Sequence, residues 1–147
     1  MPVKYFDVQT GQNRDMLPKA GTYALLCFNK SEKRLNIGKL GKFIFKRGYY
    51  TYTGSALGMG GLRSRVYRHL KQDKSKHWHM DFLRESVSIL EIWCLYGNER
   101  MECRWASIFG RADDYSIPVK GFGSSDCKCG SHLFYSKKRP LFHNIFL

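Results

Sequence analysis

Residues 49–69, YYTYTGSALGMGGLRSRVYRH, constrain the fold most, because they commit the chain to a strand, a glycine turn and a helix in quick succession. Aromatic and β-branched residues alternate over 49–53, which predicts a strand that breaks at Gly54. Gly58, Gly60 and Gly61 then turn the chain into a helix starting near Leu62 and running to about residue 72. At 100° per residue, Leu62, Val66 and Leu70 form one apolar stripe. Arg65 and His69, one turn apart, line an edge of that stripe, with Arg68 just outside it. A half-buried edge is a poor place for a charge without a task. A glycine turn, a helix N-terminus and clustered arginines suit an anion, and phosphate is the obvious one. The same residues also fit a plain β-turn-α unit with a solvated basic face.

The rest of the chain reads as a β-meander followed by helices and one long strand. Strands are expected over 22–28, 35–37, 42–46 and 49–53, so the sheet is largely antiparallel. A short helix is expected over 78–85, and a buried strand over the Ile- and Leu-rich run 87–96. Asn98 is a candidate N-cap for a helix that reaches Phe109 and stops at Gly110. Residues 119–133 read as loop, 133–135 as a last short strand, and 141–147 as an apolar tail. The fold class is α+β, and 147 residues make one domain with a real core.

Charge narrows the partners. Lys and Arg outnumber Asp and Glu by 25 to 12, a formal net charge of +13 spread along the chain. Such a surface attracts polyanions, most simply nucleic acid. No run of about 18 apolar residues and no long basic amphipathic helix points to a membrane. Residues 1–10 carry charges and lack the apolar core of a signal peptide. Five cysteines fit a reducing, cytoplasmic setting better than a disulfide framework.

Three groups of residues point at chemistry. Met101, Trp105, Ile108 and Phe109 form the expected buried stripe of the 98–109 helix, and Glu102 projects at its margin. A carboxylate there needs an ion pair, with Arg65, Arg84 or Arg100, or else a metal ion to hold. A single carboxylate, waters and a substrate phosphate commonly hold Mg²⁺. Asp126, Cys127, Cys129 and His132 have metal-ligand identities, but C-x-C-x-x-H is not the usual C-x-x-C knuckle. They suit either a structural zinc or a packed loop. His77, His79 and Asp81 suit either a phosphate contact or a capped helix start.

Gly21-Thr22-Tyr23, the Y-T-G-S-A at residues 52–56, the R-x-x-R-H at 65–69 and the helical Glu102 together resemble the GIY-YIG nucleases. That family includes homing endonucleases and the nuclease subunit of nucleotide excision repair. The resemblance spans residues 21–109, leaving 110–147 as a loop-rich extension. The whole chain looks closer still to an uncharacterised branch sharing H-W-H-x-D and G-F-G-x-S-D-C-x-C-x-S-H-L-F-Y. The resemblance implies a three-stranded antiparallel core sheet flanked by helices, and metal-dependent cleavage of DNA, branched or damaged DNA included, with RNA the weaker alternative. Tyr23 and Tyr52 match the two motif tyrosines, Arg65 and His69 the arginine and histidine of the first long helix, and Glu102 the ligand of Mg²⁺ or Mn²⁺. Gly54, Ser55, Arg63, Arg68 and His79 are the expected nucleic-acid contacts. Thr stands at the middle of both tripeptides, at what read as packing positions. The gap from Tyr23 to Tyr52 exceeds the family's usual hairpin, which the strands at 35–37 and 42–46 explain. The family's late asparagine has no clear match.

Arg65 is expected to donate to the non-bridging oxygens, where its fork outperforms lysine. Tyr23 is the expected base, its pKa brought down by nearby cations, with Tyr52 orienting water and phosphate. His69 is the other candidate base. The alternative is a non-catalytic nucleic-acid-binding module, or an accessory domain docked on a repair protein, that keeps the fold and the phosphate cleft.

Overall fold

The computed structural model describes residues 2–72, 74–125 and 127–146. Strands β1 (Lys4–Asp7), β2 (Gly21–Asn29), β3 (Lys33–Asn36), β4 (Lys42–Phe45) and β5 (Gly48–Ala56) come first, with a 3-10 turn at Gln12–Asp15. Helices α1 (Gly61–Leu70) and α2 (His79–Leu83) follow, then β6 (Ser88–Tyr96), α3 (Glu102–Arg111), β7 (Leu133–Ser136) and α4 (Phe142–Phe146). The fold is α+β. Five strands pair antiparallel in the order β1-β6-β2-β5-β7, and β3 with β4 forms a separate two-stranded sheet. The sheet is therefore five-stranded where three strands were expected, because β1 and β7 add short edges. Strand β1 went unseen in the sequence. Its KYFD has an exposed, charged half and no clean alternation, as a short edge strand often has.

Strand β2 is central, and GTYALLCFN is buried at all but one position. Its odd residues, Tyr23, Leu25 and Cys27, pack with Leu62 and Val66 of α1, Met80 and Leu83 of α2, and Ile37 and Phe45 of the β3–β4 hairpin. Its even residues, Ala24 and Leu26, pack with Trp93, Trp105 and Phe109. Period-two alternation thus feeds two cores, one on each face. The apolar tail closes the second: Phe142 lies 5.7 Å from Trp93 and Phe146 lies 4.9 Å from Trp105, ring centre to ring centre.

Several boundaries differ from expectation. Strand β5 does not break at Gly54 but runs to Ala56, because Gly54 pairs with Tyr23 across the ladder. On α1 the fully buried edge residue is His69, while Leu70 is only half-buried. Helix α3 starts at Glu102, not after Asn98, with Met101 at its N-cap position and no side-chain cap. It passes Gly110 and ends at Arg111. Its buried stripe is Trp105, Ala106 and Phe109, whereas Ile108 is 39% exposed. Among the described residues, no helix is long and apolar enough to cross a membrane.

Candidate active site

A polar cleft of about 410 Å³ opens where β2 begins, β5 ends and α1 and α3 approach each other. Tyr23 from β2, Tyr52, Gly54 and Ser55 from β5, Arg65 from α1 and Glu102 from α3 all line it, together with Trp78 and Arg100. Each has a local reason to be there.

Tyr23 reaches the cleft because its partner in the ladder is glycine. A Cβ on Gly54 would sit 2.6 Å from the Tyr23 hydroxyl, so any other residue at 54 would displace it. Behind Tyr23, His69 is wholly buried, and its Nε2 is 2.7 Å from the Tyr23 hydroxyl. Its other ring nitrogen, Nδ1, is buried without a partner among the described residues. An orphaned buried N–H is rarer than an orphaned lone pair, which favours the tautomer whose Nε2–H donates to Tyr23. The phenol's own proton is then free to donate into the cleft. His69 does not itself line the cleft.

Burial governs the titration of this trio. It drives Tyr23 well above its ordinary value, with Tyr52 reinforcing it and Arg65 opposing it in second rank. It raises Tyr52 as well, ahead of Glu102. It lowers His69 to about 3 against the pull of Asp81, and Lys74, Arg65 and Arg68 push the same way as burial. The expected lowering of Tyr23 by cations is therefore overturned: loss of water around the phenolate outweighs the nearby guanidinium.

Arg65 is held rather than loose. It donates to the Ser55 carbonyl at 3.1 Å, and its guanidinium lies 4.4 Å from the centre of the Trp78 ring. Trp78 also carries Arg68, at 4.1 Å. Arg68 forks onto Asp81 at 2.8 and 2.9 Å, so both of its terminal nitrogens are engaged outside the cleft. Asp81 accepts as well from the His77 and Trp78 backbone N–H groups. Burial alone would raise the Asp81 carboxyl, but those donors bring it down to about 2. Arg63 is turned away, its Nε donating to the Met16 carbonyl at 2.8 Å. Of the expected nucleic-acid contacts, then, Gly54 and Ser55 line the cleft, and Arg63 and Arg68 are occupied elsewhere. His79 lines an adjoining depression of about 260 Å³, where its Nδ1 accepts the Gly123 N–H at 2.8 Å. Gly123 has a positive φ of 71°, and a Cβ there would lie 2.9 Å from the Tyr52 ring.

The start of α1 is not an open phosphate cradle. Its Gly61 N–H donates to Gly58, Leu62 to Lys19 and Ser64 to Gly60. The anion-seeking groups are instead Arg65 and the buried Ser55 hydroxyl, which has no partner among the described residues.

Glu102 is half-buried, its side chain 17% exposed, and Arg100 donates to it at 2.9 Å. Arg100 is 69% exposed, so this pair is screened and worth roughly 0–1 kcal/mol. A divalent cation can displace it. One carboxylate facing a polar cleft with room for water and phosphate fits Mg²⁺ or Mn²⁺. Thr22 anchors this end of α3, its Oγ1 accepting the Met101 N–H at 3.2 Å. Thr53, the other middle letter, donates to the Tyr23 carbonyl at 3.0 Å. Both threonines thus serve as hydrogen-bonding residues, where the sequence suggested packing.

Beside Glu102, Cys103 joins Cys127, Cys129 and His132 in a cluster whose ligand atoms lie within 4.8 Å of one another. Asp126 lies outside the described residues. Cys103, Cys127 and His132 also line the cleft. Arg100 is one of the three ion-pair partners expected for Glu102, whereas Cys103 and Trp78 escaped sequence reasoning as site residues, since neither stands in a recognisable spacing with its partners.

The model of a family described as a domain of unknown function, DUF123, matches residues 22–146. No curated protein and no solved structure matches the chain.

Proposed function

The chain belongs to the DUF123 family, and we propose that it is a metal-dependent endonuclease of the GIY-YIG kind, hydrolysing phosphodiester bonds of DNA. One observation carries this reading: Tyr23, Tyr52, Arg65 and Glu102 come from four separate elements and line one polar cleft. A chain of net charge +13 can draw a polyanion to that cleft.

In this reading the scissile phosphate sits against Arg65. Its bond to Ser55 and its stack on Trp78 fix the guanidinium before substrate arrives. A pre-organised donor needs no reorganisation when charge develops on the non-bridging oxygens. Tyr23 acts as a neutral phenol. Held by His69 from behind, it donates its proton to water or to a phosphate oxygen and does not serve as the base. Tyr52, also neutral, closes the same wall and orients the attacking water. Glu102 would hold Mg²⁺ or Mn²⁺, which supplies Lewis-acid neutralisation of phosphate charge when bound.

A second reading, a binding module that keeps the cleft without cutting, draws on the Arg100–Glu102 pair, which already satisfies the carboxylate. In either reading a DNA-repair protein is a fitting partner, because two of the expected nucleic-acid contacts, Arg63 and Arg68, are engaged internally. The test is cleavage of branched, nicked and single-stranded DNA with Mg²⁺ or Mn²⁺, by wild type and by Glu102→Ala, beside their thermal stabilities. The enzyme reading expects cutting by wild type and none by a stable Glu102→Ala protein that still binds DNA. No cutting by wild type on any substrate with either metal, with DNA still bound, selects the binding module.

A further inference from the structure

We propose that Cys103, Cys127, Cys129 and His132 bind one zinc ion, as a closed structural site in the wall of the cleft. The donors come from two places in the chain. Cys103 sits in the first turn of α3, while Cys127, Cys129 and His132 belong to the loop before β7. Their ligand atoms all lie within 4.8 Å of one another. His132 Nε2 is 3.4 Å from the Cys127 sulfur and 3.9 Å from the Cys103 sulfur. A tetrahedral zinc with bonds of about 2.3 Å to sulfur and about 2.0 Å to nitrogen places neighbouring S and N ligands about 3.6 Å apart. His132 Nε2 stands close to that spacing from both sulfurs.

Three features separate this from a chance meeting of thiols. The imidazole is aimed at the sulfurs and is fixed. His132 is buried, and its main chain is anchored on both sides: its backbone N–H donates to the Phe122 carbonyl and its carbonyl accepts the Thr53 backbone N–H. The loop is held by hydrogen bonds but by little apolar packing. Between Val119 and Leu133 the described residues bring only Phe122 to the buried core cluster, and no helix or strand forms there. A metal staple substitutes for the missing apolar core, as in other small metal-held segments. The donor set is also selective, because three soft thiolates and one imidazole favour zinc over the hard ions a carboxylate takes.

Four protein ligands leave no open position, so this ion would not be the hydrolytic one. Its effect is positional. It would tie the loop carrying Gly123, which packs on Tyr52, to the helical turn carrying Glu102. The proposal stands apart from the nuclease reading, since it needs neither Glu102 nor DNA.

The experiment measures metal in the full chain purified under reducing conditions. About one zinc per chain is expected in wild type, and Cys103→Ala and Cys129→Ser should each fall several-fold in zinc content. Glu102→Ala should keep its zinc, which separates this site from the cleft's carboxylate. Replacement of zinc by Co²⁺ in wild type reads the site without relying on a variant that may misfold. The intense visible bands of tetrahedral, thiolate-bound cobalt are expected, shifted but retained in Cys129→His. Reduced wild type that neither retains zinc nor gives that spectrum overturns the proposal, as does a disulfide between two of these cysteines in the reduced preparation. Zinc retained in full by both Cys103→Ala and Cys129→Ser also overturns it.

Discussion

His69 offers a quantitative check on the burial argument at the heart of the site. In the folded chain burial lowers its pKa to about 3, against 6.5 unfolded. Below pH 6.5 the unfolded chain takes up a proton that the folded chain refuses, so stability is fully present above 6.5 and falls with pH until about 3. By pH 5 the unfolded imidazole is nearly all charged and the folded one nearly all neutral. The loss from this residue is then about 1.5 pH units at 1.4 kcal/mol each, or about 2 kcal/mol. With a urea slope of about 2 kcal/mol per molar, the midpoint should drop by about 1 M between pH 7.5 and 5 through His69 alone. Asp81 does not enter that window, because its carboxyl is held at about 2 and its stability is lost only below the ordinary carboxylate range. His79 and His132 are also lowered, but a variant at 69 shares them. The perturbation is His69→Gln, which can still bond Tyr23 but cannot titrate. Urea unfolding of both proteins at pH 7.5 and pH 5 is the assay. The gap between wild type and variant should shrink by about 2 kcal/mol on acidification. A gap constant to within about 0.5 kcal/mol would refute the buried, neutral imidazole.

Gly54→Ala should destabilise the fold by about 1–3 kcal/mol in urea, because its Cβ meets the Tyr23 hydroxyl and breaks the bond to His69; an unchanged midpoint would mean the strand tolerates the shift. Arg65→Lys should lower cleavage about a hundredfold, since lysine keeps the charge but loses the fork and the stack on Trp78. Recovery of wild-type rates by lysine would show that charge alone suffices. DNA affinity should fall steeply with salt, by a slope of about 0.9 per phosphate contacted, in a titration followed by anisotropy.

Where the sequence spoke clearly, a period or a steric rule was at work. The glycine turn, the apolar stripe of α1 and the long strand β6 rest on such rules and formed close to their expected places. Helix α3 starts late, at Glu102, just after the point where the Thr22 hydroxyl accepts the Met101 N–H, a contact from a residue far away in sequence. His69 could not be placed either. At the edge of a stripe it read as half-exposed and basic, but the rings of Tyr23, Tyr52 and Trp78 surround it and leave it dry. The same limit applied to the pKa values, which depend on burial that a single chain of letters does not display. Cys103 illustrates it for metal: C-x-C-x-x-H is an incomplete ligand set until a helix brings the fourth donor.

Thr22 and Tyr23 are neighbours in sequence whose side chains leave β2 on opposite faces. One holds the start of the helix that carries Glu102, and the other carries the phenol of the cleft. The spacing between the carboxylate side and the phenol side is thus set by a single peptide unit, the stiffest ruler a protein owns. Breathing of the outer strands or of the loops leaves that ruler unchanged. A shift of β2 by one residue against its neighbours would not loosen the two halves gradually but exchange them, putting a hydroxyl where the ring belongs.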